Sequence, residues 1–233
     1  MEVKTRIKYD LESSLDRIEE ILSSSDNDYA VLDYIPARGA FTYTNGAYTK
    51  AIALFIDIIG SSKLTSSHTK PVVAKIYRSF ISECTAILNS EEICEEININ
   101  GDCVWGVFKA DCVDNYGIVF HVAARLNSLL GWMNWELNQY GYRQIKAGIG
   151  FADGNVLIVK AGYSGSAIND LIWMGDAINQ ACHLANAAGR DGLDPILMTG
   201  SIVCHVNKHR QSLVSPINNS NIYGGNFIAT EMN

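Results

Sequence analysis

The 233-residue chain is poor in proline, in clustered basic residues and in long apolar runs. Only 4 prolines, with 48% hydrophobic and 18% charged residues, exclude a fibrous or disordered chain and indicate a folded domain. No stretch approaches the ~20 apolar residues that span a bilayer, and the longest, 51–59, contains Asp57. Because the N-terminus also lacks an apolar signal segment, we expect a cytoplasmic protein with no membrane partner.

Charge and cysteine usage exclude two further classes of protein. Lys and Arg total 18 against 25 Asp and Glu, a net charge of −7 with no basic run. Proteins that grip nucleic acid through its phosphates normally carry a basic face, so we expect no nucleic-acid partner. The 6 cysteines include no CxxC pair and lie mostly in apolar runs. This pattern favours buried free thiols over a disulfide framework or a zinc site.

The first fifth of the chain differs from the rest. Leucine and isoleucine recur at helical spacing over 9–23, which predicts an amphipathic helix. The polar run 23–28 ends that helix, and 29–49 mixes aromatic residues with proline and glycine, as in a loop or short edge strands. We therefore predict a helix-and-linker extension over 1–48 and the main domain over 49–233.

The main domain alternates apolar strand patterns with amphipathic helix patterns. Its elements are a strand at 51–59, a helix of about twenty residues from Lys70, strands 93–99 and 103–108, a helix over 114–138, strands 145–151 and 156–159, and a helix over 175–188. The order β-α-β-β-α-β predicts an α+β, ferredoxin-like domain, an antiparallel sheet with helices packed on one face.

Two aspartates are the strongest chemical signal. Asp57 interrupts an otherwise buried strand, where an uncompensated carboxylate costs several kcal/mol; the alternative is a cap for the turn at Gly60. Asp102, taken alone, fits a plain hairpin turn. In a βαββ arrangement, however, the end of the first strand lies beside that hairpin. Two carboxylates and a free backbone carbonyl there form a hard oxygen site suited to Mg²⁺ or Mn²⁺ and to substrate phosphates.

The turn after Asp57 consists of small residues. Gly60, Ser61 and Ser62 lead into a helix, and small residues let backbone N–H groups approach phosphate oxygens closely. On its own, this segment indicates no more than a loop.

Four motifs in order resemble those of the class III nucleotidyl cyclases. Two resemble the family's metal-binding motifs, one its following strand pair, and one the helix that carries transition-state residues. They are the run from Phe55 to Ser62, Asn100-Gly101-Asp102, the segments 147–150 and 154–157, and the run from Trp173 to Leu184. The resemblance covers about residues 50–230.

The resemblance implies a specific reaction. Asp57 and Asp102, with the Ile58 carbonyl, bind two Mg²⁺ or Mn²⁺ ions that hold a nucleoside triphosphate and activate its ribose 3′-hydroxyl. That oxygen attacks the α-phosphate in line, so pyrophosphate leaves and a 3′,5′-cyclic nucleotide remains. The family's active sites are shared across a head-to-tail homodimer, in which Asn179 orients the ribose from the opposite subunit.

One departure concerns the transition-state arginine. The family position four residues after Asn179 is His183 here, and a histidine is a less dependable cation near pH 7 than a guanidinium. Arg190, seven residues further on, would lie close to the same helix face if the helix persisted that far. Gly189 is expected to end the helix, which leaves Arg190 as a second candidate for phosphate contact. The alternative for His183 is a partly buried packing residue.

The other departure concerns the base. The adenylate-cyclase positions for a lysine and an acid fall on Asn98 and Ile172, and Ile172 offers no acceptor for an adenine amino group. An asparagine amide both donates and accepts, so it suits either pyrimidine, and Trp173 narrows the pocket. The alternative for Asn98 is a polar residue alternating along an edge strand.

This pattern is similar to the stand-alone pyrimidine cyclases of bacterial anti-phage defence, whose product activates a separate effector protein. It implies UTP as substrate, with CTP second. Two readings remain open: a purine cyclase with an atypical base pocket, and a catalytically degenerate domain that binds nucleotide. The missing arginine favours the degenerate domain, whereas the two retained aspartates and Asn179 oppose it.

Overall fold

The molecule is built around one large sheet. The computed structural model describes residues 7–164, 168–218 and 220–232. Nine strands form one sheet within this part of the chain. The strands are β1 (Tyr29–Val31), β2 (Gly46–Ile58), β3 (Cys94–Asn100), β4 (Cys103–Lys109), β5 (Ala147–Tyr163), β6 (Ile168–Gly175), β7 (Ile196–Thr199), β8 (Ser215–Pro216) and β9 (Ile222–Gly225). The helices are α1 (Leu11–Leu22), α2 (Ser61–Ser67), α3 (Lys70–Asn89), α4 (Val113–Gln139), α5 (Asp176–Ala187), α6 (Gly200–His205) and α7 (Lys208–Gln211).

The predicted ferredoxin-like core is confirmed. Strands β3, β4, β2 and β5 lie side by side in that order, and each neighbouring pair is antiparallel. Helix α3 connects β2 to β3, and α4 connects β4 to β5. Beyond β5 the sheet continues with β7, β9 and β8, while β1 pairs with the start of β2 and β6 with the far half of β5.

The two faces of the sheet carry different helices. Ile52, Leu54 and Ile56 of β2 pack with α3 and α4, whereas Ala53 and Phe55 point to the opposite face, where α5 packs. The one-face arrangement predicted from the βαββαβ pattern holds for α3 and α4; α5 comes after that unit and covers the other side. Even α4, with 27 residues, carries too much polar surface to span a bilayer, and none of the described helices qualifies.

The predicted strand pair 145–151 and 156–159 is wrong, because β5 runs straight through the intervening residues. Ala152-Asp153-Gly154-Asn155 has the composition of a turn but pairs with β2 without interruption. The Asp153 side chain is 2% exposed, and its carboxylate accepts from Lys50 Nζ at 3.1 Å, Tyr116 Oη at 3.1 Å and Ser201 Oγ at 3.0 Å. All three partners contact Oδ2 and offset part of the desolvation of the carboxylate, whereas the buried Oδ1 has no hydrogen-bond partner among the described residues.

The N-terminal segment contains the predicted helix and a part that packs on the sheet. Helix α1 is capped at its N-terminus by Asp10, whose side chain accepts the Ser13 N–H at 2.9 Å, and none of the helix residues is buried. Strand β1 pairs in parallel with β2 from Gly46 onward, and Phe41 is buried in the α5-side core. The boundary after residue 48 remains a prediction, although the first core strand starts two residues before it.

All six cysteines are free thiols, as predicted, but they are not uniformly buried. Cys84 lies in the core, whereas Cys112 and Cys204 are exposed. Cys112 lies at the start of α4 and Cys204 in the short helix α6, and neither helix buries that position.

Candidate active site

The two predicted metal carboxylates meet at one end of the sheet. Asp57 is the penultimate residue of β2 and pairs across the sheet with Cys103, the first residue of β4. Asp102 directly precedes Cys103 in the turn from β3, where Gly101 adopts the left-handed backbone conformation. The strand pairing therefore places both carboxylates at the same edge, as the sequence predicts.

The charge of this pair is only partly balanced by the chain. Burial, followed by repulsion from Asp102, raises the pKa of Asp57, whose side chain is 21% exposed. The Arg190 guanidinium opposes both effects and lowers the pKa, but the net direction is upward. A site that concentrates negative charge in this way favours a bound cation.

Arg190 forms an ion pair with Asp57 of its own chain. Its Nη2 lies 3.4 Å from Asp57 Oδ2, while Nη1 donates to the Ala185 and Ala188 carbonyls at 3.1 and 3.3 Å. Helix α5 stops at Ala187, and Gly189 turns the chain at φ +67°. The helix therefore ends before Arg190, which points back to the carboxylates instead of continuing the outer face of α5.

The donor set fits a magnesium-type ion better than a transition metal. Among the described residues, no group of three or more His, Cys, Asp or Glu side chains could enclose an ion. Burial raises the pKa of Cys103 to about 12 and also raises that of Cys182, so both thiols beside Asp57 stay protonated. Two carboxylates remain, and Mg²⁺ typically completes such a site with waters and substrate phosphates.

The predicted phosphate-binding turn follows the same strand. Gly60 has φ +70° and forms the N-cap of α2, and Ser61 and Ser62 occupy the first turn of that helix. The segment thus lies three to five residues beyond Asp57, next to the carboxylates. Its contact with phosphate remains a prediction.

Helix α5 presents Asn179 and His183 outward, away from the carboxylates. Both side chains are exposed and lie four residues apart, so they share one helix face, whereas Cys182 faces Asp57. No hydrogen bond or ion pair in the described part of the chain joins either to Asp57 or Asp102. Within one chain, Asn179 and His183 therefore do not join the two carboxylates, and their predicted role toward a second subunit stays a prediction.

Two glycines set the distance between α5 and the sheet. A Cβ at Gly148 would lie 2.3 Å from the Ala185 carbonyl oxygen, and one at Gly150 would lie 2.1 Å from the Ala185 nitrogen. Any side chain at these positions would push the helix away from β5. The close approach fixes the outward face of α5 relative to Asp57 and Asp102.

The predicted base-binding residues separate into two groups. Asn98 lies opposite Trp105, which stacks on Phe55 at 5.0 Å, and its buried Nδ2 has no hydrogen-bond partner among the described residues. Trp173 is 7% exposed and packs on this same face. Ile172 is 39% exposed on the other side of β6, because neighbouring strand residues alternate.

Comparison with known proteins identifies the family. No protein-family model matches the chain. It is 38% identical to a uridylate cyclase of Gulbenkiania mobilis, over 78% of this chain and 73% of the relative. It is 33% identical to a uridylate cyclase of Treponema porcinum, over 90% of this chain and 73% of the relative. The chain belongs to the class III nucleotidyl cyclases, in the family of these uridylate cyclases.

Solved structures confirm the cyclase fold. The adenylyl cyclase CyaB from P. aeruginosa superposes with a TM-score of 0.65 at 14% identity, over 78% of this chain and 95% of that one. A class III adenylyl cyclase-like ATP-binding protein from Pseudomonas aeruginosa gives a TM-score of 0.72 at 16% identity, over 95% of this chain and 48% of that one.

One charged cluster of the cyclase was not predicted from the sequence. Arg38, before β2, forms ion pairs with Glu96 on β3 and with Asp170 on β6. Burial is the largest of the effects that raise the pKa of Glu96. The buried indole N–H of Trp173 faces the Glu96 carboxylate without forming a hydrogen bond of standard geometry. Glu96 precedes Asn98 by two residues on the same strand face, which is the one signal that could have linked it to the site.

A cavity between α3 and α4 lies apart from the candidate site. It has a volume of about 770 Å³ and is lined in part by Met133, Trp132 and Tyr142. This is the face of the sheet opposite Asp57. Asp57 and Asp102 instead lie where β2 ends and β4 begins.

Proposed function

We propose that this protein is a metal-dependent uridylate cyclase, which converts UTP to 3′,5′-cyclic UMP and pyrophosphate. The observation that carries the proposal is the pair Asp57 and Asp102 at one sheet edge, in a chain with two relatives named uridylate cyclase. The pair supplies hard oxygen ligands where a triphosphate needs them.

The carboxylates and the residues around them have distinct roles. Asp57 and Asp102, with the Ile58 carbonyl, would hold two Mg²⁺ or Mn²⁺ ions, which neutralise phosphate charge and lower the pKa of the ribose 3′-hydroxyl. The 3′-oxygen then bonds to the α-phosphorus, the bond to the β-phosphate oxygen breaks, and pyrophosphate leaves with that electron pair. The hydroxyl proton passes to solvent.

Residues near the carboxylates supply the remaining contacts to the triphosphate. Arg190 already lies 3.4 Å from Asp57, so its guanidinium is positioned to donate to phosphate oxygens in the same subunit's half-site. Gly60, Ser61 and Ser62 offer backbone N–H groups at the start of α2.

The second subunit of a homodimer would complete each site. Asn179 on its α5 would orient the ribose, and His183, when protonated, would donate to the reacting phosphate. This assignment follows from the exposure of both side chains on the outward face of α5. Among the described residues, no side-chain hydrogen bond or ion pair engages either side chain within its own chain.

Uracil fits the polar groups of the candidate base pocket. The orphaned Nδ2 of Asn98 can donate to a uracil carbonyl, and its Oδ1 can accept from uracil N3–H. Trp173 limits the width of the pocket, while Ile172 offers no acceptor to an adenine amino group. An unpaired amino group in such a pocket costs ~1–3 kcal/mol, enough to disfavour ATP. CTP is the second choice, because the same amide can be turned to match cytosine.

The product would act as a second messenger. We propose that cyclic UMP formed on infection activates a separate effector protein in anti-phage defence. The relatives' names support the formation of cyclic UMP, and the resemblance to the pyrimidine cyclases of anti-phage defence supports the role of the product.

The test is product formation from each nucleotide. Purified protein is incubated with Mn²⁺ and ATP, GTP, CTP or UTP separately, and cyclic monophosphates are measured by mass spectrometry. We expect cyclic UMP as the main product and at least a ~1,000-fold loss in Asp57→Asn, with Asp16→Asn on α1 as the matched control. A cyclic purine as main product would contradict the base assignment, and full activity in Asp57→Asn would contradict the metal site.

A further inference from the structure

The segment before β2 packs on the sheet face that carries the base-reading candidate Trp173. Strand β1 pairs with β2, and the following residues Leu32, Ile35 and Phe41 pack on the same sheet face as Phe55 and Trp173. A cavity of about 280 Å³ lies there, lined by Ile35, Arg38, Glu96 and Trp173 among others. The segment is thus in contact with the strands that carry the base-reading candidates.

Arg38 links two strands that are not paired with each other. Its Nη1 lies 2.9 Å from Glu96 Oε2 and 3.3 Å from Oε1, and Nη2 contacts Asp170. Glu96 belongs to β3, which pairs with β4, and Asp170 belongs to β6, which pairs with β5. Through the sheet alone, these strands are separated by β4, β2 and β5.

The chemistry of this bridge requires an arginine. Glu96 is 14% exposed, and the Asp170 carboxylate repels it, so the two acids would separate without a shared cation. A planar guanidinium can donate to two carboxylates at once in fixed directions, whereas a lysine ammonium acts as a single point charge. The Glu96 carboxylate, held in place by Arg38, in turn faces the buried Trp173 indole N–H.

We propose that Arg38 is a positioning residue for base selection in the uridylate cyclase. By bridging Glu96 and Asp170, it holds the segments carrying Asn98 and Trp173 at a separation that accepts one pyrimidine ring. The inference rests on the proposed function for its substrate. Because the guanidinium is largely exposed, its ion pairs contribute little to stability, and the effect lies in selectivity.

The test is the ratio of kcat/KM for UTP to that for ATP. We expect Arg38→Ala to lower this ratio about tenfold, since small displacements of positioning groups cost that much or more. Arg38→Lys, which keeps the charge but loses the fork, should give an intermediate ratio. Arg125→Ala is the matched control: it breaks a 2.8 Å ion pair with Glu91 on the α4 side of the sheet, and its ratio should equal that of the wild type.

Two outcomes would overturn the inference: an unchanged ratio in Arg38→Ala, or an equal fall in Arg125→Ala. If Arg38→Ala does not fold, Asp170→Asn weakens the same bridge and should lower the ratio in the same direction. Binding of UTP and ATP with Ca²⁺, measured by calorimetry, separates this inference from the proposed function. Selective UTP binding that depends on Arg38, without turnover, would leave the inference standing and refute the cyclase. Turnover of UTP with a ratio insensitive to Arg38 would do the reverse.

Discussion

Asp57 is the residue at which stability and function conflict. Its carboxylate is mostly buried, faces the negative charge of Asp102, and is compensated within the chain by Arg190 alone among the described residues. Such an arrangement costs free energy in the metal-free protein. The proposed metal ions account for its presence, because they turn the same repulsion into binding affinity.

The pH dependence of stability should reveal this cost. The pKa of Asp57 is raised in the folded state, so the folded protein binds that proton more tightly than the unfolded chain does. Ionisation therefore destabilises the fold as pH rises through and above the ordinary aspartate range. We expect metal-free Asp57→Asn to be more stable than wild type at pH 7, with the difference shrinking as pH falls toward 4 in urea unfolding.

Unfolding in the presence of Mg²⁺ is the control for the comparison of Asp57→Asn with the wild type. Mg²⁺ should raise the unfolding midpoint of the wild type and leave Asp57→Asn nearly unchanged, since binding to the folded state alone stabilises it. A wild type that is more stable than Asp57→Asn without metal at pH 7 would contradict the assigned cost of the carboxylate pair.

At the scale of elements, the contact between α5 and β5 decides whether the outer face of α5 is correctly placed. Gly150→Ala would put a Cβ 2.1 Å from the Ala185 nitrogen, and backbone atoms cannot yield as a flexible side chain can. We expect a loss of about 3 kcal/mol in the free energy of unfolding, measured by urea denaturation. Activity should fall as well, because α5 carries Asn179.

Gly131 offers the matched comparison. It lies within α4, and a Cβ there would meet nothing within 4 Å, so Gly131→Ala should stabilise the protein by about 0.5–1 kcal/mol. Equal unfolding midpoints for Gly150→Ala and the wild type would show that α5 does not depend on the close approach.

Some elements were predictable from sequence because their signals are local. The apolar spacing of α3 and α4 and the Asn-Gly turn before Asp102 each depend on neighbouring residues, and all three are found where predicted. The predicted turn at 152–155 was wrong, because what keeps Asp153 inside a strand is Lys50, about a hundred residues away in sequence. Pattern reasoning does not register such a partner.

Some contacts of the candidate site were likewise predictable from the sequence, and others were not. Asp57 and Asp102 were predictable as neighbours, because the βαββ topology joins their strand ends. The bridge formed by Arg38 was not, because it depends on the packing of an irregular segment against β3 and β6. The ion pair between Arg190 and Asp57 was also missed, since it requires the reversal of the chain at Gly189.

At the scale of the whole molecule, the proposed function divides each active site between two chains. The carboxylates lie at one sheet edge, while Asn179 and His183 point outward from α5. A head-to-tail homodimer with two-fold symmetry would pair each half with its complement and produce two equal sites. The central claim is therefore that chemistry requires residues from two chains.

Mixing two inactive variants tests that claim most directly. Asp57→Ala and Asn179→Ala would each be inactive alone, but a heterodimer would contain one site with both defects and one intact site. With random pairing, half of the dimers are mixed, so the rate of cyclic UMP formation should recover to about a quarter of the wild-type value. No recovery in a verified heterodimer, or substantial activity of a monomer, would contradict the shared active site.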